Sequence, residues 1–378
     1  MGELALRYPA GSLVVSTGRH AGSAASDPRF PQPIDHAPIR AKRLRTINGL
    51  VLWAARASTL VRRTRPGFAW CGELKPAGYP ARWLRWRYGL SYGVILHGTE
   101  LLLLEAKMGR SRFRRWPAHE LLGGAAVVVA NSRWTAERAR AVLAALDRPT
   151  LGGDVRVVPL GTDPAHFRPD VDPRPVRARL GLGGGPWLLT VSRLEWHKGI
   201  DTVIRALPAV RAAFPDAPPR YAVAGVGPHR ARFEQLAAEL GVGDSVRFLG
   251  FVPDEELPAL YNAVDLYVGA SRRVELLVEG FGIALLEASA CGLAVVGGRS
   301  GGVPDAVREG ETGILVDAGE PAAVAAGITR LLGDAELRRR MGAAGRRAVE
   351  TFYNWDRVAR DLIRIDGEFR REPPPAAR

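Results

Sequence analysis

The sequence predicts an α/β fold of two domains, each a doubly wound parallel sheet with helices on both faces. Its 378 residues exceed the size at which one hydrophobic core keeps growing, so two cores are expected. Short apolar, β-branched runs alternate with longer amphipathic segments, the pattern of parallel strands joined by helical crossovers. Hydrophobic residues make up 47% and charged residues 24%, the balance of an ordinary folded globular protein.

Taken in order, the opening Met1 to Tyr8 reads as the end of a helix and runs into a strand at 12–16. Further strands are expected at 67–70, 93–96 and 127–130, then with clearer alternation at 155–158, 187–192, 221–224, 246–249, 266–268, 294–296 and 314–316. Between the halves, 164–186 carries five prolines and Gly183-Gly184-Gly185, a composition that suits a hinge. These features divide the chain into a first domain at 1–164, a linker at 165–185 and a second domain at 186–350. A helix at 351–366 is expected to cross back to the first domain, and the Pro- and Arg-rich end, 367–378, to be a disordered tail.

Several classes are set aside. The longest apolar stretches, such as Leu101 to Leu104 and Ala125 to Ala130, fall far short of the roughly 20 residues of a membrane-spanning helix. The start lacks a basic stretch followed by a long apolar one, so no secretory signal is expected and the cytoplasm is the expected compartment. Cys71 and Cys291 are too far apart and too unlike in context to suggest a disulfide framework or a metal knuckle. The net charge, 53 − 39 = +14, favours phosphate-bearing ligands, nucleic acid or an anionic membrane. Nucleic acid ranks last, because the charge is diffuse and no recognised binding module is present.

In open sheets ligands sit beyond the carboxyl ends of strands, so the loops after the apolar runs carry the chemistry. After 187–191 comes Ser192-Arg193-Leu194-Glu195-Trp196-His197-Lys198-Gly199. Its two cations, Arg193 and Lys198, suit the dispersal of charge on a departing diphosphate; a solvated basic loop is the bland reading. After 221–224 comes Ala224-Gly225-Val226-Gly227-Pro228, where Gly225 and Gly227 allow close backbone approach to a ligand, or merely a tight turn. The strongest string is Glu279-Gly280-Phe281-Gly282-Ile283-Ala284-Leu285-Leu286-Glu287. If a helix starts near Gly282, its free amides face phosphates, Glu279 stays on the preceding loop, and Glu287 lies a turn further in, where a carboxylate accepts from ribose hydroxyls. Ser300-Gly301-Gly302-Val303-Pro304-Asp305 forms a fourth turn.

Taken together, these strings resemble the family 4 (group 1) retaining glycosyltransferases, a group that includes bacterial phosphatidylinositol mannosyltransferases; the resemblance covers roughly 94–355. It implies the GT-B fold, two Rossmann-like domains facing across a cleft, with the acceptor on the first and the nucleotide sugar held by the second. It implies that Arg193 and Lys198 hold the diphosphate, that Glu287 binds the ribose, and that Glu279 contacts the transferred sugar, assisted by backbone around Phe281, Gly282 and Ile283. Ile95-Leu96-His97-Gly98 resembles the family's active-site loop, with His97 against the donor sugar. Asn131-Ser132-Arg133-Trp134-Thr135 and Pro159-Leu160-Gly161-Thr162-Asp163 also match; helix capping and turn formation read them equally well. No carboxylate nucleophile is evident in the first half. The resemblance implies front-face transfer, in which the leaving phosphate takes the proton of the incoming hydroxyl, with no metal or other cofactor.

The expected donor is a GDP- or UDP-hexose, with mannose or glucose as the sugar, and the expected acceptor is lipid-linked or a saccharide. Two basic-aromatic segments, 82–88 (Arg82-Trp83-Leu84-Arg85-Trp86-Arg87-Tyr88) and 110–116 (Arg110 to Trp116), suit peripheral contact with an anionic membrane, or equally an Arg-rich solvated face. The chain departs from the family at its start, where the first strand and the Gly-Gly loop near the donor phosphates have no counterpart. Either the start has been placed too far downstream, or the first domain lacks its first strand and helix. That departure keeps two rivals open: a nucleotide-sugar-binding protein without turnover, and another GT-B enzyme such as a sugar-nucleotide epimerase or a phosphorylase.

Overall fold

The computed structural model describes residues 2–19, 30–40, 46–108, 112–146 and 155–370. Its contacts divide the chain into two compact units, Met1–Val158 with Trp355–Arg378, and Pro159–Asn354.

The first unit opens with the helix Gly2–Arg7 and holds β1 (Val15–Arg19), β2 (Ile34–Arg40), β3 (Phe68–Cys71), β4 (Ser91–Leu96), β5 (Val127–Ala130) and β6 (Arg156–Val157). β3 to β6 form one sheet in sequence order, while β1 and β2 pair with each other, and every pairing is parallel. All residues of β4 and β5 are buried, as expected of parallel strands covered on both faces. The helix Trp355–Phe369 packs Val358, Ala359, Leu362 and Ile365 against Ile95, Val127 and Val129 of that sheet.

The second unit holds β7 (Trp187–Val191), β8 (Arg220–Ala224), β9 (Val246–Gly250), β10 (Leu266–Gly269), β11 (Val295–Gly298) and β12 (Gly313–Val316). Its six strands run parallel in the order β12-β11-β10-β7-β8-β9. Alternate residues point to opposite faces, as the pleat requires. Leu189, Tyr267, Val295 and Leu315 enter one core and Leu188, Val268, Val296 and Ile314 the other. The order reverses between β7 and β10, so the crevice where open sheets bind ligands lies at the carboxyl ends of those two strands.

Four expectations are corrected. Residues 165–185 are no linker: the segment forms the helix Arg174–Leu180 and buries Phe167, Val176 and Leu182 in the core of the second unit. Proline and glycine there shape a packed connection, and the unit begins at Pro159. The strand placed at 12–16 begins at Val15, and its partner β2 had no counterpart in the reading because Asp35, His36 and Pro38 interrupt its apolar pattern. The helix expected at 351–366 forms with its bounds shifted to Trp355–Phe369, and it belongs to the first unit as expected. The tail does not begin at Gly367, because Arg370 bonds Asp366 through both its backbone amide and its Nε, at 2.8 and 2.7 Å; residues 371–378 lie outside the described chain. No helix among the described residues is long and apolar enough to cross a membrane.

Candidate functional site

At the carboxyl end of β7 the chain turns through Ser192 to Glu195 into a 3-10 turn, Trp196–Lys198, and then, after Gly199, into the helix Ile200–Ala212. Leu194 is fully buried and anchors the turn, while Arg193 beside it stays exposed. Gly225 and Gly227 make this packing possible. A Cβ on Gly225 would sit 1.9 Å from the Ser192 carbonyl oxygen, and one on Gly227 would sit 2.6 Å from the Leu194 backbone. Both glycines thus serve an approach of chain to chain, with the Leu194 amide donating to the Val226 carbonyl at 3.1 Å. Gly199 takes φ +70° and would drive a Cβ to 1.8 Å from the Ala270 oxygen. The Lys198 turn is therefore pressed against the loop that leaves β10.

That loop carries Glu279. Lys198 Nζ donates to Glu279 Oε2 in a short ion pair across 81 residues of sequence, and Ser271 Oγ donates to the same oxygen at 3.2 Å. Glu279 is also held through its main chain, since its carbonyl accepts from the Gly302 amide at 2.9 Å. Gly301, at φ +57°, leaves room for that carbonyl. The turn Ser300-Gly301-Gly302 is thus the floor beneath Glu279.

Gly282, at φ +102°, opens the helix Ile283–Ala290 with no side-chain cap, so the first amides of the helix have no intrahelical partner. Phe281 is buried against Tyr353, with ring centroids 6.4 Å apart, so what that residue can offer a ligand is its backbone. Glu287 lies one turn into the helix, partly buried, and its Oε2 accepts from the Tyr261 hydroxyl at 2.7 Å. Burial pushes the Glu287 carboxyl above the usual carboxylate range, against the lowering effect of that hydrogen bond.

His197, between the turn and the core, is buried with no hydrogen-bond partner on Nδ1. Burial, then the neighbouring Lys198 charge, lowers its pKa and favours the neutral ring. Arg272, two residues past Ala270, donates from its guanidinium to both carboxylate oxygens of Asp201 at 2.9 and 2.8 Å and to Thr202 Oγ1 at 2.8 Å.

The structure therefore brings Lys198, Glu279 and the start of the helix Ile283–Ala290 together around the end of β10, with Arg193 on the adjoining turn. His97 belongs to the first unit, exposed at the end of β4. Its Nε2 lies 2.8 Å from the Gly72 carbonyl oxygen, and its amide donates to the Glu100 carboxylate. Ser132 and Asn131 are buried in a helix cap: Ser132 Oγ accepts from the Thr135 amide at 3.1 Å and Thr135 Oγ1 donates to Asn131 Oδ1 at 2.9 Å. Capping accounts for that motif. Gly161 packs on the Asn354 backbone, and Asp163 Oδ1 accepts from the Ala165 amide at 2.9 Å, a turn within the second unit. Sequence reasoning missed Tyr261, Ser271 and Arg272. The available signal was positional: Ser271 and Arg272 directly follow a strand that borders the crevice.

In the basic-aromatic segment 82–88, the helix Gly78–Tyr88 turns Arg82 toward Glu120, at 2.9 Å, and stacks Arg87 over Tyr88. Trp83 and Trp86 remain 43% and 67% exposed. In 110–116, residues 110 and 111 lie outside the described chain, and Trp116 is exposed.

Comparison with known proteins extends the sequence reading. Residues 176–348 match the family described as glycosyl transferases group 1. The chain is 41% identical over 201 residues to a GDP-mannose-dependent α-(1-6)-phosphatidylinositol monomannoside mannosyltransferase of Mycolicibacterium smegmatis, covering 52% of each. It is 36% identical over 299 residues to a D-inositol 3-phosphate glycosyltransferase of Frankia alni, covering 76% of this chain and 70% of that one. The chain spans about half the length of the curated mannosyltransferases it matches. Among solved structures it resembles a sucrose-phosphate synthase of Thermosynechococcus elongatus, with TM-score 0.75, 23% identity and 97% and 91% of the two chains covered. It also resembles Anabaena HepE in complex with UDP, with TM-score 0.77, 19% identity and 97% and 94% covered. These likenesses establish the GT-B fold class.

Proposed function

We propose, from the premise that this chain belongs to the group 1 glycosyl transferases, that it moves a hexose from a nucleoside diphosphate to an acceptor hydroxyl with retention at the anomeric carbon. The observation that carries the reading is the Lys198–Glu279 pair. A cation and a carboxylate, supplied by the two strands that border the switch point, stand beside a helix start with open amides. In this reading Arg193 and Lys198 neutralise the diphosphate, Glu279 contacts the sugar, and Glu287 with Tyr261 receives the ribose. Gly225, Gly227 and Gly282 keep the backbone close, and the amides around Phe281 and Ile283 face the donor.

The bond from the anomeric carbon to phosphate oxygen breaks as the bond to the acceptor oxygen forms on the same face. The acceptor proton passes to the leaving phosphate. The protein supplies position and fixed positive charge, so the reading requires neither a metal nor an enzyme nucleophile. His97, whose Nε2 lies 2.8 Å from the Gly72 carbonyl oxygen, is assigned to a sugar hydroxyl.

GDP-mannose is the first donor proposed, because the mannosyltransferase relatives carry that donor in their names; UDP-glucose is the second. A lipid-linked acceptor is proposed from two observations. Those relatives are named for a phosphatidylinositol mannoside, and Trp83 and Trp86 stand exposed on one helix among arginines, which suits an anionic lipid interface. The test is isothermal titration with GDP-mannose and UDP-glucose, beside an Arg193→Ala/Lys198→Ala variant. Binding of one donor that the variant loses supports the reading; a folded wild-type protein that binds neither sinks it.

A further inference from the structure

We infer that Arg272 is a positioning residue that sets Lys198 against Glu279, an inference that rests on the donor-site reading above. The Arg272 side chain makes its hydrogen bonds to Asp201 and Thr202 rather than to Lys198 or Glu279. The residue joins the two segments that carry them. Its backbone amide donates to the His197 carbonyl at 2.8 Å, fixing the residue immediately before Lys198. Its guanidinium closes on the first turn of the following helix with a two-pronged bond to Asp201, at 2.9 and 2.8 Å, and a third to Thr202 Oγ1 at 2.8 Å. Lys198 therefore sits between two points, at 197 and at 201–202, that one arginine holds.

The other end of the clamp lies on the Glu279 loop. Ser271, adjacent to Arg272 in the chain, donates to Glu279 Oε2 at 3.2 Å, so displacement of Arg272 moves a donor to Glu279 as well. The contact at Gly199, where even a Cβ would overlap the Ala270 oxygen, leaves the two segments no slack to absorb such a shift. Asp201 and Thr202 are themselves buried, so the bonds are made away from bulk water, where a planar guanidinium fork holds a carboxylate in one orientation and a lysine does not.

The test pairs a measurement that needs no turnover with one that does. Trace acylation of the native protein with acetic anhydride, read by peptide mass spectrometry, reports how firmly Lys198 Nζ is held. In Arg272→Met, acylation of Lys198 is expected to rise severalfold while that of Lys75 is unchanged. Arg272→Lys, which keeps the charge without the fork, should fall between. In turnover with GDP-mannose, Arg272→Met is expected to lose about 10²-fold in kcat, the scale of a misplaced reacting group. Made in a Lys198→Ala background it should lose little more, because residues acting as a unit are not additive. Should Arg272→Met fail to melt cooperatively, Asp201→Asn, which keeps the shape of the partner and weakens the clamp, takes its place. Unchanged Lys198 acylation in a folded variant, or kcat losses that multiply with that of Lys198→Ala, would overturn the inference. A wild-type protein that binds no nucleotide sugar would defeat the transferase reading alone, and the acylation result would still decide whether Arg272 positions Lys198.

Discussion

Replacing Lys198 by alanine removes the cation that meets Glu279 and, in the proposed reaction, the departing diphosphate. Two unit charges about 4 Å apart at an effective dielectric near 20 interact by about 4 kcal/mol. The Lys198 and Glu279 side chains keep 16% and 20% of their surface open, so water screens part of that attraction. A discounted value of about 2 to 3 kcal/mol corresponds to a loss of roughly 30- to 150-fold in kcat/KM. The loss is compounded by Glu279, which retains the Ser271 hydroxyl at 3.2 Å but presents an uncompensated negative charge to an anionic donor. Steady-state kinetics with GDP-mannose and titration with GDP measure the two consequences separately. GDP carries the full charge of the leaving group, so its affinity should fall with kcat/KM, whereas Lys198→Arg should recover most of both. Folding should suffer less than catalysis, because Glu279 keeps the Ser271 hydroxyl and 20% of its side chain open to water. A folded Lys198→Ala protein whose kcat/KM stays within about threefold of wild type would refute the assignment of Lys198 to the diphosphate.

Three further outcomes are expected. Gly199→Ala imposes a left-handed backbone at φ +70° on a side-chain-bearing residue and drives its Cβ to 1.8 Å from the Ala270 oxygen; the conformation alone costs about 1 to 2 kcal/mol. Urea unfolding should show at least that loss, and a change below about 0.5 kcal/mol would mean that the two loops are not pressed together. His197 is held neutral, its pKa below the ordinary 6.5 by burial first and the Lys198 charge second. The stability it contributes is thus fully present above pH 6.5 and is lost as pH falls through the folded value; His197→Gln should flatten the acid side of the stability–pH curve, and an unchanged curve would contradict the burial of a neutral ring. Finally, Trp83→Ala/Trp86→Ala should weaken sedimentation with vesicles containing phosphatidylinositol at low salt while leaving GDP affinity unaltered; equal sedimentation of variant and wild type would remove this helix from any lipid contact.

What could be read from the sequence follows from which interactions are local. Strands of a parallel sheet are buried on both faces, so β5 and β10 announce themselves as continuous apolar runs. The segment 165–185 was misread because proline and glycine report irregular backbone, and irregular backbone can still be buried. Phe167, Val176 and Leu182 do the packing that composition hides. β2 escaped because Asp35, His36 and Pro38 break its run, and its identity as a strand comes from pairing with β1. At the candidate site, Arg193, Lys198, Glu279 and Glu287 stand out in the sequence because they lie in two strings, 192–199 and 279–287, that follow β7 and β10 and join charged residues to glycines. Arg272 and Tyr261 do not, because their roles are set by partners 71 and 26 residues away.

The sheet order explains why the readable half of the site was readable at all. β7 and β10 are neighbours, yet β8 and β9 intervene in sequence and are laid down on the far side of β7. The loops after β7 and β10 are therefore the two that no neighbouring crossover covers, and they face each other by topology rather than by any local signal. Lys198 and Glu279, 81 residues apart, meet because they ride on those two loops. What topology leaves open is their exact spacing, and here that is fixed by contacts of another kind: a glycine without room for a Cβ at 199 and the forked bond of Arg272 to Asp201. A parallel α/β sheet thus brings a cation and a carboxylate to the same edge, and a few tightly packed loop residues decide whether they are close enough to act on one ligand.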